Sequence, residues 1–325
     1  MQILRYKLTK KSVAELTVYL LDQSVEMQSA TERPGVLIFP GGAYQTCSDR
    51  EAEPIATAFL AEGYQAFVLR YTVGTGTDFS QALNDAQEAL KLIKDHSKQW
   101  HLLADKIVAC GFSAGGHLAA MLATTGELRP NALVLGYPCV LAEMGETLNY
   151  PIPSVEQAVD QKTPPTFIFA SRDDEIVPIK NSLALVHALE RAQVAFELHI
   201  YAHGRHGLSL AKPMTANGLR YYVNPRVATW FQQTISWLNQ LWQPFPAEND
   251  YQLIPNGTVL DQPLGYLWQI SSNQSELLHF LPFMADKNQR TKVANVSLNI
   301  MAAYAKELLP AETLSKLKEK LIQDN

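Results

Sequence analysis

The stretch KIVACGFSAGGHLAAMLATT, residues 106–125, changes character in its middle. Residues 106–112 read as a strand, apolar from Ile107 onward, and residues 114–125 are mostly small and apolar with no proline, as a buried helix allows. Between them lies Gly111-Phe112-Ser113-Ala114-Gly115, a serine with a glycine two residues to either side. A strand that passes into a helix over one residue forces that residue into a strained backbone. Glycines at the flanking positions remove the Cβ atoms that would otherwise collide. The hydroxyl of Ser113 is thereby lifted clear of a sheet at the positive end of the following helix, where negative charge developing beside the Ala114 N–H is favoured.

Working outward, short runs rich in branched and aromatic residues alternate with longer stretches of helical period. Residues 3–8 and 15–21 alternate apolar and polar like half-buried strands and suit an antiparallel edge hairpin. Further strands are expected at 36–39, 66–71, 132–137, 164–170 and 194–201. Helices are expected from Ser48 or Asp49 to Glu62, and over 79–97, 180–191 and 225–241. In the first of these, Ser48 or Asp49 is a cap, Glu51 and Glu53 complement the positive end, Pro54 lies in the first turn, and Gly63 stops the helix. The pattern is that of an α/β domain with a mostly parallel central sheet flanked by helices, over residues 1–245. WQPFPAEND at 242–250 breaks every periodicity and reads as a linker. Residues 251–325 then read as a small, mainly helical C-terminal domain whose last amphipathic helix starts at Pro310. The Pro-containing stretch 138–163 has the length of a pocket cover.

A serine on such a turn needs a base within about 3 Å and a nest of N–H donors for an oxyanion. Pro40-Gly41-Gly42-Ala43-Tyr44 follows the strand at 36–39, and its small residues let the N–H groups of Gly42 and Ala43 approach a substrate oxygen. With Ala114 they make a candidate oxyanion hole. The base belongs on a loop after a late strand, where Tyr201-Ala202-His203-Gly204-Arg205-His206-Gly207 supplies two imidazoles. His206 is preferred, because Gly207 gives it a mobile backbone and it lies further from the strand end; His203 is the alternative. His199, inside the strand, reads as a packed or solvent-facing side chain. The carboxylate that fixes the imidazole belongs after the strand at 164–170, where Asp173, Asp174 and Glu175 stand in a row. Asp174 is preferred, since its neighbours would alternate toward solvent ahead of Pro178, and Asp173 is the alternative. His117, one turn into the elbow helix, reads as a packing residue. The chain order Ser113, Asp174, His206 differs from those of chymotrypsin-like and subtilisin-like enzymes and agrees with the strand-turn-helix context.

Composition closes off other classes. A net charge of −5 and no basic run interleaved with aromatics argue against nucleic acid as a partner. No window of about 20 apolar residues points to a membrane span, and the scattered charges of the N-terminus do not read as a secretion signal. Cys47, Cys110 and Cys139 cannot all pair and show no metal-ligand spacing, which suits a reducing, cytoplasmic setting. The dispersed histidines imply no metal, and GTGT at 74–77 lacks the pattern of a nucleotide loop, so no cofactor is expected. Homo-oligomerisation is left open.

The segments PGGAY (40–44), SDREAEPIA (48–56), GYQAFVLRY (63–71), GFSAGGHLA (111–119), DEIVP (174–178) and GRHGLSL (204–210) together resemble bacterial α/β-hydrolases related to the hormone-sensitive-lipase and acetyl xylan esterase families. The resemblance spans roughly residues 30–240. It implies the α/β-hydrolase fold and hydrolysis of a small carboxylic ester, usually of short acyl groups such as acetyl on sugars. One departure is visible: where many relatives carry HGG, this chain has Pro40-Gly41-Gly42. Beside this reading stand a small peptidase or amidase of the same fold and a non-catalytic binding protein that kept the fold.

Overall fold

The computed structural model describes residues 1–8, 13–24, 26–245, 253–254 and 256–322. They fall into two compact units, Met1–Phe245 and Pro246–Asn325.

Among its described residues the first unit carries eight strands: β1 (Gln2–Lys7), β2 (Glu15–Leu20), β3 (Arg33–Phe39), β4 (Gln65–Arg70), β5 (Leu102–Phe112), β6 (Ala132–Gly136), β7 (Thr166–Ser171) and β8 (Phe196–Tyr201). They make one sheet in the order β1-β2-β4-β3-β5-β6-β7-β8. The β1–β2 hairpin and the β2–β4 pair are antiparallel, and all other pairs are parallel. This is the largely parallel sheet with an edge hairpin that the alternation of apolar runs implies.

Both faces of the sheet are covered, which is why the central strands read as continuous apolar runs. Leu37, Phe39, Ile107, Ala109, Leu133 and Leu135 face one core, shared with helices α2 (Phe79–Asp95), α3 (Ala114–Thr125) and α5 (Lys180–Arg191). Their neighbours Val36, Ile38, Val108, Cys110 and Val134 face the other, shared with α1 (Glu53–Ala61) and α6 (Trp230–Trp242). A short helix α4 (Met144–Leu148) lies within the connection from β6 to β7.

The strand order has one consequence for function. β3 and β5 lie side by side, but the chain leaves β3 for β4 on one flank and leaves β5 for β6 on the other. The crevice at their carboxyl ends is therefore the point where the winding reverses, the usual ligand position in open α/β sheets. Phe39 ends one wall of it, and Phe112 ends the other.

Several boundaries differ from expectation. β5 starts at Leu102 rather than 106, because Arg33 pairs with Leu102 across an irregularity before Gly35; the polar residues between hide that pairing in the sequence. The helix expected from Ser48 is a 3-10 turn over Asp49–Glu51 followed by α1, and neither Ser48 nor Asp49 caps with its side chain. Glu51 does not serve the helix end, since it is buried and bonded elsewhere. α6 starts at Trp230 behind a 3-10 turn at Val227–Thr229 and ends at Trp242; residues 246–250 of the expected linker lie outside the described residues.

The second unit is helical among its described residues: α7 (Leu264–Gln269), α8 (Ser271–Phe280), α9 (Lys287–Val293), α10 (Leu298–Tyr304) and α11 (Ala311–Lys320). Leu264, Leu267, Leu277, Leu298 and Leu317 are fully buried in a core of its own. Asp286 and Ser297 cap α9 and α10 by accepting from backbone N–H groups of the first turn. The Asn273 amide brackets Ile322, donating to its carbonyl and accepting from its N–H, both at 2.8 Å, which ties the last turn to α8.

Candidate active site

Ser113 occupies the single-residue turn between β5 and α3 with φ 53° and ψ −120°. That is a costly backbone for a residue with a Cβ, and it persists only where its surroundings enforce it. The Ser113 N–H donates to Gly136 O at 3.0 Å, and its own carbonyl accepts from His117 N–H at 3.0 Å and Cys139 N–H at 3.1 Å. The flanking glycines are required by contact: a Cβ on Gly111 would lie 2.4 Å from Gly115 O, and one on Gly115 would lie 2.1 Å from Phe39 O. The elbow is thus pressed against the end of β3, so any side chain at 115 would push the two walls of the crevice apart.

The loop after β3 is pinned by its carbonyls. Pro40 O accepts from Tyr71 Oη–H at 2.7 Å and Gly41 O from Ser48 N–H at 2.8 Å. Gly42 O accepts from Gln45 and Thr46 N–H at 2.9 and 3.0 Å, and Tyr44 O from Gly74 N–H at 2.8 Å. Gly42, Ala43 and Tyr44 all take positive φ, of 134°, 55° and 58°. At Gly42 nothing else fits, because a Cβ would lie 2.2 Å from Thr46 O. The N–H groups of Gly42, Ala43 and Ala114 have no acceptor among the described residues. The carbonyls of Pro40, Gly41, Gly42 and Tyr44 are thus committed within the fold, whereas these three N–H groups are not. Pro40 keeps the carbonyl that this loop uses, the acceptor for Tyr71 Oη–H.

Asp174 follows β7 and His206 follows β8. The His206 side chain spans the gap: Nδ1 lies 2.8 Å from Asp174 Oδ2, and Nε2 lies 2.8 Å from Ser113 Oγ. Asp174 Oδ1 accepts from the N–H groups of Ile176 and Val177, both at 2.9 Å, so the carboxylate is held from behind. An acceptor-only carboxylate at Nδ1 requires the proton there, which leaves Nε2 with its lone pair toward the serine hydroxyl. The Asp174 side chain is 1% exposed and that of His206 16%. The relay is dry except at its mouth. Gly207 supplies a left-handed residue (φ 72°) whose carbonyl accepts from the Arg50 guanidinium, rather than an untethered backbone.

The two alternatives weighed from sequence find each other. His203 Nδ1 lies 2.8 Å from Asp173 Oδ2, and Asp173 Oδ1 accepts from Gly204 N–H at 2.8 Å, all at the surface. The hydrogen bond from His203 holds the Asp173 carboxyl below its ordinary range. His199 Nε2 sits 2.6 Å from Glu197 within β8. His117 is fully buried and bridges two segments, with Nδ1 2.7 Å from Tyr44 Oη and Nε2 2.9 Å from Pro153 O. Since a carbonyl only accepts, Nε2 carries the proton and Tyr44 donates to Nδ1. Burial pulls the His117 imidazole down to about 4, so it is a neutral strut.

Sequence reading missed Glu51 and Tyr137. Glu51 Oε2 accepts from Gly41 N–H at 2.8 Å, and Oε1 accepts from Tyr137 Oη–H at 2.6 Å. The available signal was Tyr137 at the carboxyl end of β6, where residues of a doubly wound sheet face the ligand crevice. Burial pushes the Cys139 thiol, beside the elbow, up to about 12, so it stays protonated. Among the described residues no group of three or more His, Cys, Asp or Glu side chains could hold a metal ion, and no helix is long and apolar enough to cross a membrane.

Such an arrangement can move a proton from a hydroxyl to an imidazole while donors wait for an oxyanion. Residues 21–133 match the family model described as BD-FAE. The chain is 44% identical to an alpha/beta hydrolase enzyme from a Medee basin deep-sea metagenome library, with a TM-score of 0.71 over 74% of this chain and 98% of that one. It is 35% identical to a sugar hydrolase (YeeB) from Lactococcus lactis, with a TM-score of 0.68 over 75% of this chain and 100% of that one. An acetylxylan esterase of Xylanibacter ruminicola is 30% identical over 190 residues, 52% of this chain and 39% of that protein. The chain spans well under half the length of the curated relatives that it matches first.

Proposed function

The chain belongs to the α/β-hydrolase superfamily, and from that premise we propose that it is an esterase/lipase-like serine carboxylic-ester hydrolase that cleaves a small ester with Ser113 as nucleophile, His206 as general base and Asp174 as the residue that orients the base. The observation that carries this reading is the unbroken relay from Asp174 through His206 to Ser113 Oγ, two contacts of 2.8 Å.

In the first half-reaction His206 Nε2 takes the Ser113 proton as Oγ bonds to the ester carbonyl carbon. The carbonyl electron pair moves onto oxygen, where the N–H groups of Gly42, Ala43 and Ala114 hold it. The pair then returns, the carbon–oxygen bond to the alcohol breaks, and His206 gives its proton to the departing alkoxide. Water repeats the sequence on the acyl-serine and releases the acid. Asp174 stays ionised throughout and stabilises the imidazolium. No step calls for a cofactor.

The names borne by the relatives favour short acyl groups on a sugar alcohol as the substrate. We assign residues 1–245, which hold every group used, as the catalytic domain and residues 251–325 as a separate, mainly helical domain. The free thiols of Cys47, Cys110 and Cys139 favour a reducing compartment such as the cytoplasm.

A fluorophosphonate probe tests the reading. Wild type is expected to be labelled, and Ser113→Ala to be silent. A folded wild type that takes no label would favour the non-catalytic binding protein. Faster turnover of aminoacyl anilides than of p-nitrophenyl acetate would favour the amidase.

A further inference from the structure

Glu51 is 3% exposed, and its carboxylate reaches two separate parts of the site. One oxygen accepts from Gly41 N–H at 2.8 Å, in the loop that presents Gly42 and Ala43. The other accepts from Tyr137 Oη–H at 2.6 Å, and the same Tyr137 oxygen accepts from Ser209 N–H at 2.8 Å, three residues beyond His206. The Tyr137 ring stands edge-on to the His206 imidazole, with centroids 5.1 Å apart. We propose that Glu51 is a positioning residue for the hydrolysis described above, one buried carboxylate that holds the oxyanion loop and the histidine loop at a fixed spacing. The proposal rests on that reading of the function.

Neighbouring contacts serve the same spacing. The Arg50 guanidinium donates to Gly207 O, and Arg50 O accepts from Ser209 Oγ–H. The turn Asp49–Glu51 therefore grips the histidine loop at Gly207 and Ser209 while it grips the oxyanion loop at Gly41. The register between an imidazole and an oxyanion hole decides whether proton transfer and charge stabilisation occur together, and misplacement by about 1 Å can cost about 100-fold in rate.

The residue type follows from its partners. Both are donors, and a carboxylate is the side chain that offers acceptors on both prongs. A glutamine of the same shape must turn its NH2 either toward Gly41 N–H, where two donors meet, or toward Tyr137 Oη, which must then accept it beside Ser209 N–H and turn its own proton away. Burial and the charge of Glu51 push the Tyr137 hydroxyl well above its ordinary range, so it remains a donor. A buried carboxylate with one donor removed is left partly unsatisfied, so the clasp works as a unit.

The test uses full-length wild type, Glu51→Gln, Tyr137→Phe and the double variant. It reads kcat and KM for p-nitrophenyl acetate, Ki for an aryl trifluoromethyl ketone, and the melting temperature. The ketone adds Ser113 to its carbonyl and places an oxyanion in the hole, so its Ki reports the geometry that the ester reaches only in the transition state. For Glu51→Gln we expect kcat to fall about 10- to 100-fold, KM to change less than about threefold, and Ki to weaken in step with kcat/KM. Tyr137→Phe removes both bonds of the hydroxyl, the one donated to Glu51 and the one accepted from Ser209 N–H, without touching charge, and kcat should fall about three- to tenfold. The double variant should be no slower than Glu51→Gln. A role confined to folding would lower the melting temperature and leave kcat/KM and Ki of the folded fraction at wild-type values; that result in either variant overturns the proposal. So would a kcat loss with Ki unchanged. Should Glu51→Gln fail to fold, Tyr137→Phe decides alone. If wild type itself neither turns over ester nor takes the fluorophosphonate, the functional reading has failed; if wild type is active and the variants match it, only the clasp has failed.

Discussion

Two aspartate–histidine pairs leave the ends of β7 and β8, one residue and three residues apart. Asp173–His203 and Asp174–His206 use the same atoms, Oδ2 and Nδ1, at the same 2.8 Å. In the first pair the imidazole side chain is 86% exposed and the carboxylate 40%; in the second the figures are 16% and 1%. Only His206 has a hydroxyl at its other nitrogen. Pair geometry is therefore cheap, and burial together with a third partner separates a relay from a surface contact. In low dielectric the Asp174 charge acts on an imidazolium at nearly full strength, whereas water screens the outer pair.

The comparison breaks first at the imidazole. His206→Ala should lower kcat/KM for p-nitrophenyl acetate by about 10,000-fold or more, leaving the residual rate that the oxyanion donors and binding supply. A loss under about 100-fold would show that another base reaches Ser113. Asp174→Asn should follow at about 1,000- to 10,000-fold in kcat with KM nearly unchanged, because the amide NH2 favours the wrong tautomer at Nδ1 while the shape stays. If Asp173→Asn cost as much, the assignment of roles to the two acids would be reversed.

His117 marks the opposite limit from His203, since it is fully buried with no carboxylate partner. Its pKa falls from about 6.5 unfolded to about 4 folded. Between those values the unfolded chain binds a proton that the native state refuses. Stability contributed by the neutral ring is present above pH 6.5 and is lost as the pH falls toward 4, by about 3 kcal/mol in all. Urea unfolding at pH 7 and pH 4.5 should show this slope. His117→Gln, whose amide can accept from Tyr44 and donate to Pro153 O, should flatten it; an unchanged slope would assign the acid sensitivity to other groups.

The parts of the site legible in sequence are those set by local stereochemistry. Gly111 and Gly115 are demanded by a one-residue elbow, and Gly42 by a backbone folded onto Thr46 O, so their spacing announces the turn. That Asp174 rather than Asp173 lies against His206 was legible because successive residues leaving a strand alternate between interior and solvent. Glu51 was misread as serving a helix end. Its partners Gly41 and Tyr137 lie 10 and 86 positions away, on loops that only the strand order brings together. The same limit hid the first residues of β5, whose pairing with Arg33 depends on a bulge that no local pattern signals.

The smallest expected effect is the most discriminating. His203→Ala removes an imidazole whose contacts are Asp173 and solvent, on the outer side of the loops that carry Asp174 and His206. Asp173 keeps its bond from Gly204 N–H, so the backbone of the histidine loop retains an anchor when the ring is gone. An exposed pair of this kind contributes little and is screened by salt. kcat/KM should therefore stay within about twofold of wild type, the melting temperature should not move measurably, and neither result should change between low salt and about 0.5 M NaCl. The Asp173 carboxyl, held low by its bond to His203, should titrate higher in the variant, toward the ordinary carboxylate range, as read by NMR of the carboxyl carbon. A tenfold loss of activity would mean that the outer pair steers the inner one through the shared loops, and burial with a third partner would no longer account for the difference between two contacts of equal length.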